Sequence, residues 1–164
     1  MAFTDLPSDW PQRPVTDPAI FTDLVDLIVA VRDRSRGCLS VWLCGPTGRL
    51  IQPILVEAPD ELPNEASGPV RWGSDAFAAT QMRRALESLA TVLSPHATPG
   101  SGLVVVIGRS GRADTTDDDR HTHQTAIEVC RTHGIPLLGA AVATPERVWA
   151  LPSAAGSPDW ACSA

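Results

Sequence analysis

The sequence predicts an α/β protein: a single mixed β-sheet flanked by helices, with elements in the order α-β-β-α-β-α-β-β. Three observations carry that prediction. Apolar residues recur at helical spacing in two segments, at Ile20, Phe21, Leu24, Leu27, Ile28 and Val31, and at Phe77, Met82, Leu86, Leu89 and Leu93. Between these segments, "CLSVWLC" and "RLIQPILVE" are β-rich runs joined by Gly45-Pro46-Thr47-Gly48, a turn sequence that makes them a hairpin. "GLVVVIG" at 102–108 is short, apolar and without alternation, the pattern of a strand covered on both faces. Helical and strand segments interleaved in this way assemble as helices packed on a sheet.

The elements follow in order. Residues 1–16, acidic and Pro-rich, are expected to form a flexible N-terminal arm, residues 17–152 one α/β domain, and residues 153–164 a small-residue tail. Thr16 or Asp17 caps the first helix and Pro18 suits its first turn. That helix fades at "RDRSRG" before Gly37. Pro53 removes a ladder donor, which places the second strand at a sheet edge or at a bulge. "APDELPNEASGPVRWG" has no period and is long for a connection, a kind of loop that often carries function. Ser74 caps the second long helix. After the central strand an acidic helix runs from about Thr116 to Gly134, its C-terminal stop. "IPLLGAAVAT" and "RVWAL" then pair about Thr144-Pro145-Glu146.

Composition narrows the function classes. A chain of 164 residues fits one domain with a real core. The formal charge is −6, although every one of the 13 basic residues is arginine. Nonspecific nucleic-acid binding, which depends on neutralising phosphates, is therefore not expected. There is no leader-like apolar segment, and the longest apolar run, 103–107, is far too short to cross a bilayer. A cytoplasmic protein without membrane association is the expectation. Cys38, Cys44, Cys130 and Cys162 show no paired CxxC spacing and are expected as small core residues, not as a zinc site.

The chemically dense stretch is "VVVIGRSGRADTTDDDRHTH", residues 104–123, and it supports three readings. In the first, Thr116 and Asp119 form a capping box, and Asp117, Asp118 and Asp119 complement the positive end of the helix dipole. In the second, the turn Arg109, Ser110, Gly111 and Arg112 offers amides and guanidinium groups to a small anion or nucleotide. The three carboxylates oppose that reading, and the spacing is neither a P-loop nor GxGxxG. In the third, Asp118, Asp119 and His123 hold a divalent metal for hydrolysis. Asp119 and His123 lie four apart and share a helix face, whereas His121 and His123 point to different sides. A catalytic zinc needs about three protein ligands, so no metal and no cofactor are expected. His123 precedes Ala126, Ile127 and Cys130 on the apolar face, which suits a hydrogen-bonded inner-face histidine. No nucleophile turn of the GxSxG kind is present.

From about residue 38 to 151 the chain resembles the RadC-like branch of the JAB/MPN (JAMM) domain family. The likeness is carried by the hairpin, the helix, the apolar strand, the Ser110-Gly111 turn, the capped helix and "GIPLLGAAVATPERVWAL". In that family a His-x-His-Pro-Ser-Gly segment ends the central strand and a Ser/Thr-x-x-Asp opens the next helix. Two histidines and the aspartate bind zinc, and an upstream glutamate polarises water. Anchoring on Ser110-Gly111 puts Asp119 at the ligand aspartate and Thr116 at its serine, with Val106 and Gly108 at the histidine positions. The first glutamate of the chain is Glu57, so the upstream glutamate has no counterpart. The resemblance thus implies a metal-free, degenerate member. The chain is also similar to small actinobacterial proteins with an Arg-x-Gly turn followed by Thr…Asp-Arg, here Arg109, Gly111, Thr116, Asp119 and Arg120, a likeness that implies no activity.

Together these readings favour a non-catalytic interaction or scaffold module that binds a protein partner or a second copy of itself. Trp10, Trp72 and Trp160, large aromatics in polar or small-residue surroundings, are the candidate contact residues.

Overall fold

The computed structural model describes residues 6–57, 76–93 and 99–152. Helices α1 (Phe21–Ile28) and α2 (Val31–Arg36) precede the hairpin β1 (Cys38–Cys44) and β2 (Leu50–Glu57). Then come α3 (Ala76–Leu93), β3 (Gly102–Gly108), α4 (Asp117–Thr132), β4 (Leu137–Ala143) and β5 (Val148–Ala150). The strands form one five-stranded sheet in the order β2-β1-β3-β4-β5. β3 and β4 are parallel, and the other three neighbouring pairs are antiparallel. The sheet is therefore mixed, and the fold is α/β.

Alternation along the three inner strands builds two cores. Leu39, Val41, Leu103, Val105, Ile107, Ala140 and Val142 face α3 and α4, where Met82, Leu86, Ala126 and Val129 meet them. Cys38, Trp42, Cys44, Val104, Val106, Ala141 and Ala143 face the opposite layer, which α1 supplies through Phe21, Leu24 and Val25. β3 is buried along its whole length because both layers press on it. Trp42 anchors the second core, edge-on to Phe21 at 6.4 Å, and its indole N–H donates to Ser40 Oγ at 2.9 Å. β2 is an edge strand, which is how Pro53, opposite Trp42, is accommodated.

Two features depart from the expectations above. The first helix is broken into α1 and α2, because Val29 and Ala30 adopt extended backbone. No glycine or proline marks the break. Arg34, only 2% exposed, explains it: the guanidinium folds back to donate to Val29 O (2.7 Å), a carbonyl that a continuous helix would have satisfied, and shares Val25 O (3.3 Å) with the Val29 N–H. It also donates to Asp26 Oδ1 (2.7 Å) and Thr144 O (3.2 Å), tying α1 to the β4–β5 turn.

The second departure is the N-terminal arm, because residues 6–16 lie against the sheet. Val15 is 1% exposed in the second core, and Leu6 and Trp10 pack on the same cluster. The segment is fastened to the hairpin turn by Val15 N–H to Gly48 O (2.9 Å) and by Arg49 Nε to Gln12 O (2.8 Å). Trp10, expected above as a contact for a partner, is partly buried and packs against the second core of its own domain. Trp72, Trp160, Ser74, His96 and Cys162 lie outside the described residues.

The candidate binding cleft at the β3–α4 turn

β3 ends at Gly108, where the chain must pass close to β1: a Cβ at this position would overlap Cys38 Sγ. Only glycine fits. Arg109 follows, its N–H held by Ala143 O at 3.0 Å, so the turn leaves the sheet between β1 and β4 at a fixed point. This is the carboxyl end of the parallel β3–β4 pair, the end at which open α/β sheets place their ligands.

The turn is wrapped around one guanidinium. Arg109 Nε donates to Asp119 Oδ1 and Nη2 to Asp119 Oδ2, both at 2.8 Å, a bidentate pair. Nη1 donates to Ser110 O (3.3 Å) and Arg112 O (3.0 Å), and Nη2 also donates to Asp114 O (2.7 Å). All five N–H donors of the side chain are thus used within the protein. Trp149 of β5 lies under the guanidinium, 5.8 Å from ring centroid to Cζ, and its indole N–H donates to Thr115 Oγ1 at 3.0 Å. Gly111, with φ +97, gives the backbone reversal that lets the flanking carbonyls converge on one centre.

Asp119 is fully buried and completes the helix start. Its N–H donates to Thr116 Oγ1 at 3.2 Å, and its Oδ2 accepts the Thr116 N–H at 2.8 Å, the reciprocal capping box expected from Thr116 and Asp119. The carboxylate therefore accepts from Arg109 on both oxygens and from the Thr116 amide. Its lone pairs are turned to the buckle. Asp118 is exposed one residue earlier, and His123 is half-buried one turn later. The structure does not bring Asp118, Asp119 and His123 together, and among the described residues no group of three His, Cys, Asp or Glu side chains could hold a metal.

His123 also lacks the hydrogen bond expected of it: no partner is found among the described residues. Burial lowers its pKa below the usual imidazole value. The three described cysteines are buried, as the sequence suggested. Burial raises the Cys44 thiol to about 12 and the Cys130 thiol to about 11, so neither offers a thiolate near neutral pH.

Beside the buckle lies a cleft of about 530 Å³, lined by residues 35–37 at the end of α2, 109–112 and 114–116 of the turn, and Asp117, Asp118 and Arg120 of α4. Ligand pockets commonly fall in this size range. Of the four residues singled out as a ligand-binding turn, all line it, but in different capacities. Arg109 is a strut with no N–H to spare. Ser110 and Gly111 contribute backbone. Arg112 is 87% exposed and ion-paired to Asp114 at 3.1 Å. Arg120 is ion-paired to Asp117. Reasoning from sequence missed Arg36, which the end of α2 brings to the cleft, and Trp149, which braces the turn from below. Neither carries a local signal, since both arrive through tertiary contacts. No protein-family model, curated protein or solved structure matches this chain.

Proposed function

We propose that the chain is a non-catalytic binding module and that the cleft beside the β3–α4 turn holds a small polar ligand. The observation that carries this reading is the Arg109–Asp119 buckle. Asp119, which the likeness puts at the ligand aspartate of a JAB/MPN-type site, is here consumed in pairing with Arg109 beside an open, preorganised cleft. A degenerate JAB/MPN-like scaffold is part of the proposal. The sequence likeness supports it, as do the mixed sheet and a Thr116-x-x-Asp119 cap directly after the central strand. At the positions that the likeness gives to the histidines, Val106 is packed in the second core and a side chain at Gly108 would have to displace Cys38 Sγ.

Thermal unfolding followed against millimolar carboxylates, phosphate, amino acids and nucleotides tests the binding reading. The expected result is a concentration-dependent rise in Tm for at least one class, abolished by bulky substitution at Gly111. No rise for any class overturns it. Stoichiometric zinc or manganese in untagged protein, lost in Asp118→Asn and His123→Gln variants, would instead establish the metal-hydrolase alternative.

A protein-partner or self-association reading has one observation in its favour. Ile51 and Leu55, 63% and 41% exposed, lie on the edge strand β2. Sedimentation of the wild type and of an Ile51→Lys variant checks self-association. Two monomers would remove it.

A further inference from the structure

The charges around the cleft do not match those of a simple anion site. Four arginines and three aspartates line it, and the remaining partner, Asp119, cancels Arg109. Arg112 pairs with Asp114, and Arg120 pairs with Asp117. Two charges are left over among the described residues, one of each sign: Arg36 and Asp118 have neither an ion-pair partner nor a side-chain hydrogen bond. They stand on different elements, Arg36 ending α2 and Asp118 opening α4.

The backbone adds neutral donors. In a planar trans peptide the N–H points opposite to the C=O that precedes it. The carbonyls of Ser110, Arg112 and Asp114 all point to Arg109. The N–H groups of Gly111, Ala113 and Thr115 therefore point away from the guanidinium, and these three have no acceptor among the described residues. Gly111 and Thr115 line the cleft. The helix N-terminus itself is not the attraction, because the Thr116–Asp119 box and its own aspartates already serve it.

Resting on the cleft reading above, we infer that the ligand is a small zwitterion of amino-acid type. Arg36 and the outward amides take its carboxylate, and Asp118 takes its ammonium group. One charge of each sign is matched, and the cleft stays neutral. A nucleotide would bring several negative charges against Asp114, Asp117 and Asp118, at a site whose cations other than Arg36 are already paired. About 530 Å³ also leaves room for a side chain beyond the zwitterionic head.

The test is calorimetric titration and thermal unfolding of the full chain with the common L-amino acids, acetate, propylamine, inorganic phosphate and ADP. One or more amino acids should bind, with acetate and propylamine each much weaker. Arg36→Gln and Asp118→Asn should each weaken binding by about tenfold or more, the loss of one charge-assisted hydrogen bond. Asp118→Asn should at the same time bring acetate level with the amino acid. Arg147→Gln, an exposed arginine outside the cleft, should leave affinity unchanged. Phosphate or ADP binding as well as or better than any amino acid overturns the zwitterion and leaves the cleft reading standing. Amino-acid binding that survives both Arg36→Gln and Asp118→Asn overturns the assignment of those residues. Failure of every probe removes the cleft reading with it.

Discussion

Arg109 shows how one side chain can convert a loop into a wall. Its side chain is 12% exposed and faces a carboxylate that is wholly buried, so the pair is poorly screened and the charges depend on each other. Removing one partner strands the other. Arg109→Ala is expected to cost about 3–5 kcal/mol, because a buried carboxylate loses its counter-charge and the loop carbonyls lose their donors. The double variant Arg109→Ala/Asp119→Ala should recover part of that loss. Urea unfolding of the two singles and the double measures the coupling, and strictly additive losses would show that the pair does not act as a unit. The sequence displayed both residues and even the right cap, yet it gave no reason to join Arg109 to Asp119 ten positions later. That link depends on where the turn closes.

At the scale of the element, α4 combines an acidic, well-capped start with a histidine on its inner side. Because burial lowers the His123 pKa in the folded chain, the unfolded chain binds more protons between the two pKa values. Stability is then at its full value above about pH 6.5, the ordinary imidazole pKa, and declines as pH falls through the lower, folded one. Unfolding followed between neutral and mildly acid pH should show this decline, and His123→Gln should flatten it. An unchanged slope in the variant would assign the acid sensitivity to other groups. The same helix illustrates what local pattern can and cannot say. Its start was legible because Thr116 and Asp119 cap it through contacts three residues apart. The break between α1 and α2 was not legible, because the apolar periodicity runs through it and the compensating donor, Arg34, comes from beyond the break.

At the scale of the molecule, the two faces of the sheet are closed in different ways. α3 and α4 cover one face, and Arg83 Nη2 to Glu128 Oε2 at 2.9 Å joins them across their outer side. The other face has only the short α1 and needs residues 6–16 to complete it. Val15→Ala should therefore destabilise the protein by about 2 kcal/mol, the loss of two fully buried carbons. A change in urea midpoint too small to measure would show that this segment lies on the fold without stabilising it. By itself the sequence determined the α/β class, the hairpin, the fully covered central strand, the restriction of Pro53 to an edge or a bulge, and the cap of α4. All of these follow from spacing, turn chemistry and covalent geometry within a few residues. Only the tertiary structure decided that Arg109 is a strut rather than a free donor, that Arg36 and Asp118 share a cleft, and that the first sixteen residues include part of the core. Each of these depends on which side chains meet after distant segments pack, and one-dimensional spacing does not encode that meeting.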